Sequence, residues 1–122
     1  MVKTSKETLH LINNLCKNHS IDSNQLEQFL LKSSLTFEEL ICFKHKQTGD
    51  NVLHFATRAG NLNLLKLIKD KVANDAEFYF TNLNNDGKNV LHEACQYEHL
   101  ECAKFLIEVI GISVNKLRKA DW

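Results

Sequence analysis

The sequence contains no proline, only four glycines and no excess of either charge among its 122 residues. The missing proline removes the residue that often occupies the first turn of a helix. The few glycines leave no glycine-rich loop for a phosphate, and no Gly-x-Ser-x-Gly nucleophile turn is present. Because Lys plus Arg and Asp plus Glu number 15 each, we expect no direct nucleic-acid binding and no membrane binding, both of which need a basic excess.

Two further absences concern location. No apolar run approaches the length of a membrane span, and the first six residues lack an apolar signal region. The four cysteines lie within apolar runs, and reduced thiols are expected in the absence of a signal peptide. These cysteines are Cys16, Cys42, Cys95 and Cys102. The chain therefore reads as one domain with a modest core, located in the cytoplasm, the nucleus or both.

One stretch of sequence occurs twice. Gly49 to Ala56 and Gly87 to Ala94 both contain Gly, then Asn-Val-Leu-His, then Ala two residues after His. Each glycine permits a tight turn with φ > 0, and each asparagine is at the N-cap position of a predicted helix. The first copy predicts helices over about residues 52–58 and 62–70, and the second copy repeats them. Two short helices cannot close a core alone, so repetition predicts stacked units.

Both copies resemble the ankyrin repeat, whose signature is Thr-Pro-Leu-His-x-Ala. Asn-Val replaces Thr-Pro in each copy, and Glu98 stands where the family usually has an inter-helix glycine, a place that Gly60 fills in the first copy. Residues 111–115 resemble the family's Gly-Ala-Asp-Val-Asn exit from a repeat. The resemblance covers about residues 44–122. It implies an all-α, ankyrin-like helical repeat stack, a solenoid with short turn or hairpin connections.

The chain divides into four segments on this interpretation. Residues 1–43 are predicted to be an N-terminal helical cap, with capping-box pairs at Thr4/Glu7 and Thr36/Glu39 and a first helix over residues 4–19. Residues 44–86 form an ankyrin-like repeat with an insertion, 87–120 form a second repeat, and 121–122 begin a further, truncated one. The two motifs lie 38 residues apart, against about 33 for an ankyrin unit. The insertion is expected within 69–86, where the β-prone residues 77–81 predict a strand-like piece.

Histidine and cysteine side chains are the candidates for a catalytic or metal-binding site. His54 and His92 are expected to be structural, since a buried histidine at a repeated position needs a hydrogen-bond partner. His92, Cys95, His99 and Cys102 form the best metal candidate, but sites with two Cys and two His usually have a longer spacer between the ligand pairs. The sequence therefore predicts no metal, no cofactor and no catalysis.

The family resemblance implies that a partner protein binds the turn tips and the exposed side of the first helices. The expected residues are Lys46, Asp50, Asp86 and Lys88 at the tips, and Phe55, Arg58, Glu93, Gln96 and Tyr97 on the helices. Aromatic and arginine side chains are the usual interface anchors, which favours Phe55 and Tyr97. The alternative is that Phe55 packs on the neighbouring first helix and that Arg58 is merely solvated.

A second function follows from resemblance alone. Residues 91–94 together with the tail 117–122 resemble a member of the family that acts as a quality-control cofactor of alanyl-tRNA synthetase. That resemblance implies lysine side chains that accept misactivated serine, and Lys119 is the lysine within the matching tail. A deprotonated, positioned amine can attack an activated acyl group, whereas a solvated turn lysine would be inert.

The end of the second repeat is expected to be uncapped. Its apolar residues would then be exposed and would favour self-association. These residues are Val109, Ile110, Ile112, Val114 and Leu117.

Overall fold

A computed structural model of the protein describes residues 4–113, which form a stack of short helices. The α-helices are α1 (Ser5–Cys16), α2 (Ser23–Ser33), α3 (Phe37–Cys42), α4 (Val52–Arg58), α5 (Leu62–Val72), α6 (Ala76–Phe80), α7 (Val90–Gln96) and α8 (Leu100–Phe105). A 3-10 turn, Ala73–Asp75, precedes α6, and a π-helical turn, Leu106–Ile110, follows α8. No strand occurs within this range, so the all-α prediction is confirmed.

The helices are arranged in two layers. In one layer α1 contacts α4, and α4 contacts α7. In the other layer α5 contacts α8, and the hairpins are closed by the α4–α5 and α7–α8 contacts. Each repeated motif therefore begins one helical hairpin, and the two hairpins stack side by side, as the repetition predicted.

A single apolar core runs through the stack. Its fully buried members come from the N-terminal segment and from both repeats, and they include Ile12, Leu26, Leu40, Leu53, Leu65, Leu91 and Leu106. Leu53 and Leu91 occupy the same position in the two motifs and are both 0 % exposed. Truncating either to alanine should cost about 3 kcal/mol, because neighbouring helices hold the cavity open.

Local capping begins the helices where the sequence predicted. The side chains of Asn51 and Asn89 each accept from the backbone N–H three residues on, at 3.0 Å. The capping boxes that begin with Thr4 and Thr36 are both present. The cap of the second helix is Asp22, whose side chain accepts from the backbone N–H of Gln25 at 2.8 Å. The first helix ends at Cys16, three residues before its predicted end.

The prediction of a strand-like piece over residues 77–81 is wrong, because residues 76–80 form α6. A strand would bury alternate residues, so Phe78 and Phe80 would share one environment. Instead Phe80 is 0 % exposed and Phe78 is 66 % exposed. Ala76 and Phe80, four residues apart, form the buried side of a helix, and the Phe80 ring lies 6.5 Å from that of Phe105.

The turn between the two helices of a hairpin differs between the repeats. Gly60 has φ +72°, and a Cβ there would lie 2.8 Å from the ring of His99. Glu98 holds the same place in the second repeat with φ +58°, a conformation that costs an L-residue about 1–2 kcal/mol. The glycine is therefore required in the first repeat by both backbone and space, whereas the second repeat tolerates strain.

The end of the second repeat is partly covered. Ile112 is 3 % exposed, so its predicted exposure is wrong. The reason is the left-handed Gly111, after which the N–H of Ile112 bonds to the carbonyl of Leu106 at 3.0 Å and turns the chain back onto the core. Val109 is 53 % exposed and Ile110 is half-buried. Val114 and Leu117 lie outside the described residues.

Candidate protein-binding surface

The two turn tips, which precede α4 and α7, are joined to each other. The backbone N–H of Asn85 donates to the carbonyl of Thr48 at 2.8 Å. The buried Asn84 donates through Nδ2 to Oδ1 of Asp50 at 2.9 Å. These bonds fix the position of one tip against the next, so the tips form a rigid edge.

His54 connects its own helix to the second tip. Its Nδ1 accepts from the backbone N–H of Asn51 at 3.1 Å, and its Nε2 lies 2.9 Å from the carbonyl of Lys88. The ring is fully buried, and this burial lowers its pKa below the ordinary value, although the bond to the Lys88 carbonyl opposes the shift. His54 is thus a neutral connector between repeats, which confirms its predicted structural role.

Arg58 reaches from the first repeat to a carboxylate of the second. Its Nη2 and Nε donate to the two carboxylate oxygens of Glu93 at 2.8 and 3.1 Å. Its Nη1 donates to Oδ2 of Asp50 at 3.2 Å. Asp50 and Glu93 are each only 3 % exposed, so the prediction that they are exposed is wrong. Glu93 is buried because α4 lies beside α7 and covers the side of α7 that an isolated helix would present to solvent. Asp50 is buried beside Asn84 of the second tip and Arg58, which both donate to its carboxylate.

The charges of Arg58, Asp50 and Glu93 stabilise one another. Burial alone would raise the pKa of the Asp50 carboxyl, but hydrogen bonds from Arg58, Asn84 and Thr48 outweigh it and hold the pKa below its usual range. The hydrogen bond to Glu93 is the main reason that the pKa of Arg58 is raised. The arginine is therefore charged and paired rather than merely solvated.

Two aromatic rings flank the same guanidinium. The Cζ atom of Arg58 lies 5.7 Å from the ring centroid of Phe55 and 5.9 Å from that of Tyr97. Phe55 is half-buried, and its ring lies 6.4 Å from that of His45 in the first tip. Tyr97 is 45 % exposed. We call Phe55, Arg58 and Tyr97 the aromatic–arginine cluster.

The other predicted partner-binding residues surround this cluster in different states. Gln96, Lys46 and Asp86 are exposed, and Lys88 is half-buried. Nζ of Lys88 donates to Oε1 of Gln96 at 3.0 Å. Their contact with a partner stays a prediction.

The four residues of the metal candidate do not come together. Across residues 4–113 there is no group of three or more His, Cys, Asp or Glu residues placed to hold a metal ion. His99 instead uses Nε2 for a 3.0 Å contact with the carbonyl of Arg58.

Cys102 is buried, which raises the pKa of its thiol, and Glu101 adds to the shift. Burial also raises the pKa of Cys16 to about 12.

Asn61 is a buried polar residue, 0 % exposed, that the repeated motif did not indicate. Its Nδ2 donates to the carbonyls of Cys16 and Asn18 at 3.0 and 2.9 Å, and its Oδ1 accepts from the N–H of Leu64 at 3.0 Å. It therefore caps α5 and binds the end of α1 at once. The available signal was its place directly before the predicted helix over residues 62–70, where asparagine is a favoured N-cap.

Comparisons with known proteins agree with this architecture. A family profile described as ankyrin repeats (3 copies) matches residues 9–118. The eye-specific diacylglycerol kinase of Drosophila melanogaster is 31 % identical over 62 residues, which span 51 % of this chain and 4 % of that protein. A chain in the crystal structure of the yeast ribosomal protein Rps3 in complex with its chaperone Yar1 superimposes with a TM-score of 0.73 at 19 % identity, covering 92 % of this chain and 75 % of that one. None of the helices between residues 4 and 113 combines the length and the hydrophobicity that a membrane span requires.

Proposed function

The chain belongs to the ankyrin-repeat family, and on that premise we propose that it is a protein-binding module with no catalysis of its own. Its partner lies against the aromatic–arginine cluster and the two turn tips. Ankyrin-type stacks present a continuous surface built from successive repeats, and α1, α4 and α7 provide such a layer here.

The observation that carries this proposal is the arrangement of Arg58 between two rings. Its charge is balanced by carboxylates that are almost completely buried, so the cluster does not need a charged ligand. Both rings already lie beside the guanidinium in the unbound chain, and such preorganisation lowers the entropy cost of binding. A preformed surface of aromatic and arginine side chains is the usual composition of an interface hot spot.

The surrounding residues would form the rim of the interface. Lys46, Asp86 and Gln96 are exposed and polar, as the edge of a protein interface usually is. Asp50 and Glu93 have a different role in this proposal from the one that the sequence suggested. They hold Arg58 in place and do not touch the partner, because solvent barely reaches them.

The solved neighbour comes from a complex of a ribosomal protein with its chaperone. A protein ligand for this chain agrees with that use of a similar fold. We also propose, from the resemblance and from the cysteine content, that the chain is located in the cytoplasm, the nucleus or both. Fluorescence microscopy of the tagged chain tests that location, and accumulation in the secretory pathway would contradict it.

The test compares two exposed aromatic residues on different parts of the surface. Tyr97→Ala removes a ring of the cluster, whereas Phe78→Ala removes a ring of α6 that is 66 % exposed. Quantitative mass spectrometry of captured proteins should show a partner that binds the wild type and the Phe78→Ala variant and is lost from the Tyr97→Ala variant. Circular dichroism checks that both variants are folded. If the Tyr97→Ala variant captures the same proteins in the same amounts, the proposal is wrong.

The second candidate is a quality-control cofactor of alanyl-tRNA synthetase, which the tail motif around Lys119 favours. Lys119 lies outside the described residues, so this function stays a prediction. The chain is incubated with the synthetase, ATP and serine, and seryl adducts are sought by mass spectrometry. Absence of an adduct on Lys119 would remove this candidate.

A further inference from the structure

A cavity of about 390 Å³ lies between the N-terminal half of α1 and the segment that leads into the first turn tip. Its lining includes Lys6 and Leu9 from α1, and Phe43, His45 and Lys46 from the segment. We call it the α1 cavity. Of the predicted partner-binding residues only Lys46 lines it, so the α1 cavity is distinct from the aromatic–arginine cluster.

We propose that the α1 cavity binds an acidic peptide segment that inserts one apolar side chain. This inference rests on the proposed function, because it names the chemistry of one segment of the partner protein. It adds a second contact region on α1, beside the aromatic–arginine cluster.

The floor of the cavity suits an apolar side chain. Leu9 and Phe43 are both half-buried, and Phe43 packs against the apolar core. The volume falls within the range of about 300–1,000 Å³ that is usual for ligand pockets. A single aromatic or large aliphatic side chain would therefore fit and would gain burial from both residues.

The rim of the cavity is positively charged. Lys6 and Lys46 are exposed on its two sides, and none of the described residues that line it is acidic. The nearby carboxylates are engaged elsewhere, since Glu7 accepts from the backbone N–H of Thr4 at 3.2 Å and Asp50 is buried against Arg58. Two lysines around an apolar floor are complementary to carboxylates that flank an apolar residue.

His45 adds a hydrogen-bond donor. Its Nδ1 accepts from the backbone N–H groups of Gln47 and Thr48 at 3.1 and 3.3 Å. A neutral imidazole whose Nδ1 accepts must carry its proton on Nε2. In this proposal Nε2–H is therefore the donor that the ring gives to a peptide carbonyl or carboxylate.

The geometry favours a peptide over other anions. Nucleic acids and anionic membranes are held by many basic residues in a broad patch. Within residues 4–113 two lysines line this cavity, and the formal net charge of the whole chain is zero. The His45 ring also lies 6.4 Å from that of Phe55, so the cavity adjoins the aromatic–arginine cluster. One extended segment can contact both.

The probe is a fluorescein-labelled peptide of aspartate and glutamate residues with one central tryptophan, and binding is followed by fluorescence anisotropy. Two control peptides replace the tryptophan by alanine or the acidic residues by lysine. The Lys6→Glu/Lys46→Glu variant should bind the acidic tryptophan peptide at least about tenfold more weakly than wild type. The matched variant Lys66→Glu/Lys104→Glu has the same change of net charge on α5 and α8 and should bind within about twofold of wild type.

Three results would overturn the inference. The first is equal affinity of the wild type and the Lys6→Glu/Lys46→Glu variant for the acidic tryptophan peptide. The second is equal affinity of wild type for the tryptophan and alanine peptides, because the cavity would then hold no apolar side chain. The third is lysine-dependent binding to phosphatidylserine vesicles without binding to the peptide. If protein capture still depends on Tyr97 in any of these cases, the inference alone has failed and the proposed function stands.

Discussion

Replacing Arg58 with alanine should lower the free energy of unfolding by about 3 kcal/mol. The substitution leaves two almost completely buried carboxylates without their shared cation. The side chains of Glu93 and Asp50 are 3 % and 5 % exposed, whereas that of Arg58 is 29 % exposed.

The magnitude follows from these exposures. An ion pair between solvent-exposed side chains contributes about 0–1 kcal/mol, because water replaces the lost partner. Removing one partner of a buried pair costs about 3–5 kcal/mol, because the remaining charge stays away from water. The low end applies here, since solvent reaches part of Arg58 and Asp50 keeps its bonds to Asn84 and Thr48. The midpoint of thermal unfolding should fall by about 10 °C.

Urea unfolding followed by circular dichroism measures this effect. The matched control is Lys71→Ala, because Lys71 pairs with Glu27 and both side chains are far more exposed than the two carboxylates, at 32 % and 52 %. The control should lose less than about 1 kcal/mol. A Glu93→Gln change made together with Arg58→Ala should recover at least about 1 kcal/mol, since the buried charge is gone. If Arg58→Ala loses no more free energy of unfolding than Lys71→Ala, the ion pairs of Arg58 behave as ordinary surface pairs and the reasoning is refuted.

Further predictions concern the inter-helix turns, a buried hydroxyl and pH. Gly60→Ala should lower the free energy of unfolding by about 2 kcal/mol, whereas Glu98→Gly should raise it by up to about 1 kcal/mol. Urea unfolding measures both changes. Equal effects of the two substitutions would contradict the assignment of strain. The Oγ1 atom of Thr57 is buried without a hydrogen-bond partner among the described residues. Thr57→Val should therefore raise the free energy of unfolding by about 1 kcal/mol. Thr57→Ser, which keeps the hydroxyl group, is the control. Stability should fall as pH drops below 6.5, the ordinary pKa of histidine, because the lowered pKa of His54 lets the unfolded chain bind a proton that the folded chain does not. His54→Gln should flatten thermal midpoints measured between about pH 7 and 5. The lowered pKa of Asp50 should cause a second loss of stability below pH 3.8, the ordinary pKa of aspartate, which Asp50→Asn should reduce.

The features that could be predicted from sequence depend on residues close together in the chain. An N-cap such as Asn51 contacts a backbone group three residues away. The repeated motif likewise predicts that His54 is buried and hydrogen-bonded, because the same residue recurs at the same place in each unit. The strand prediction for residues 77–81 failed because β-propensity mostly measures packing on a half-buried sheet surface. Residues 76–80 instead form α6, which buries Ala76 and Phe80 as one side of a helix.

The repeated motif was enough to predict the helical hairpins, their N-caps and a set of candidate partner-binding residues. Which of those residues are exposed depends on how the hairpins pack against each other. Arg58 and Glu93 are 35 positions apart, and no local pattern shows that adjacent repeats bring them into contact. The α1 cavity likewise exists only because α1 lies against the segment before α4. Hydrogen bonds and side-chain periodicity act over a few residues, whereas burial depends on which helices become neighbours, and this is why the candidate site emerged only from the folded chain.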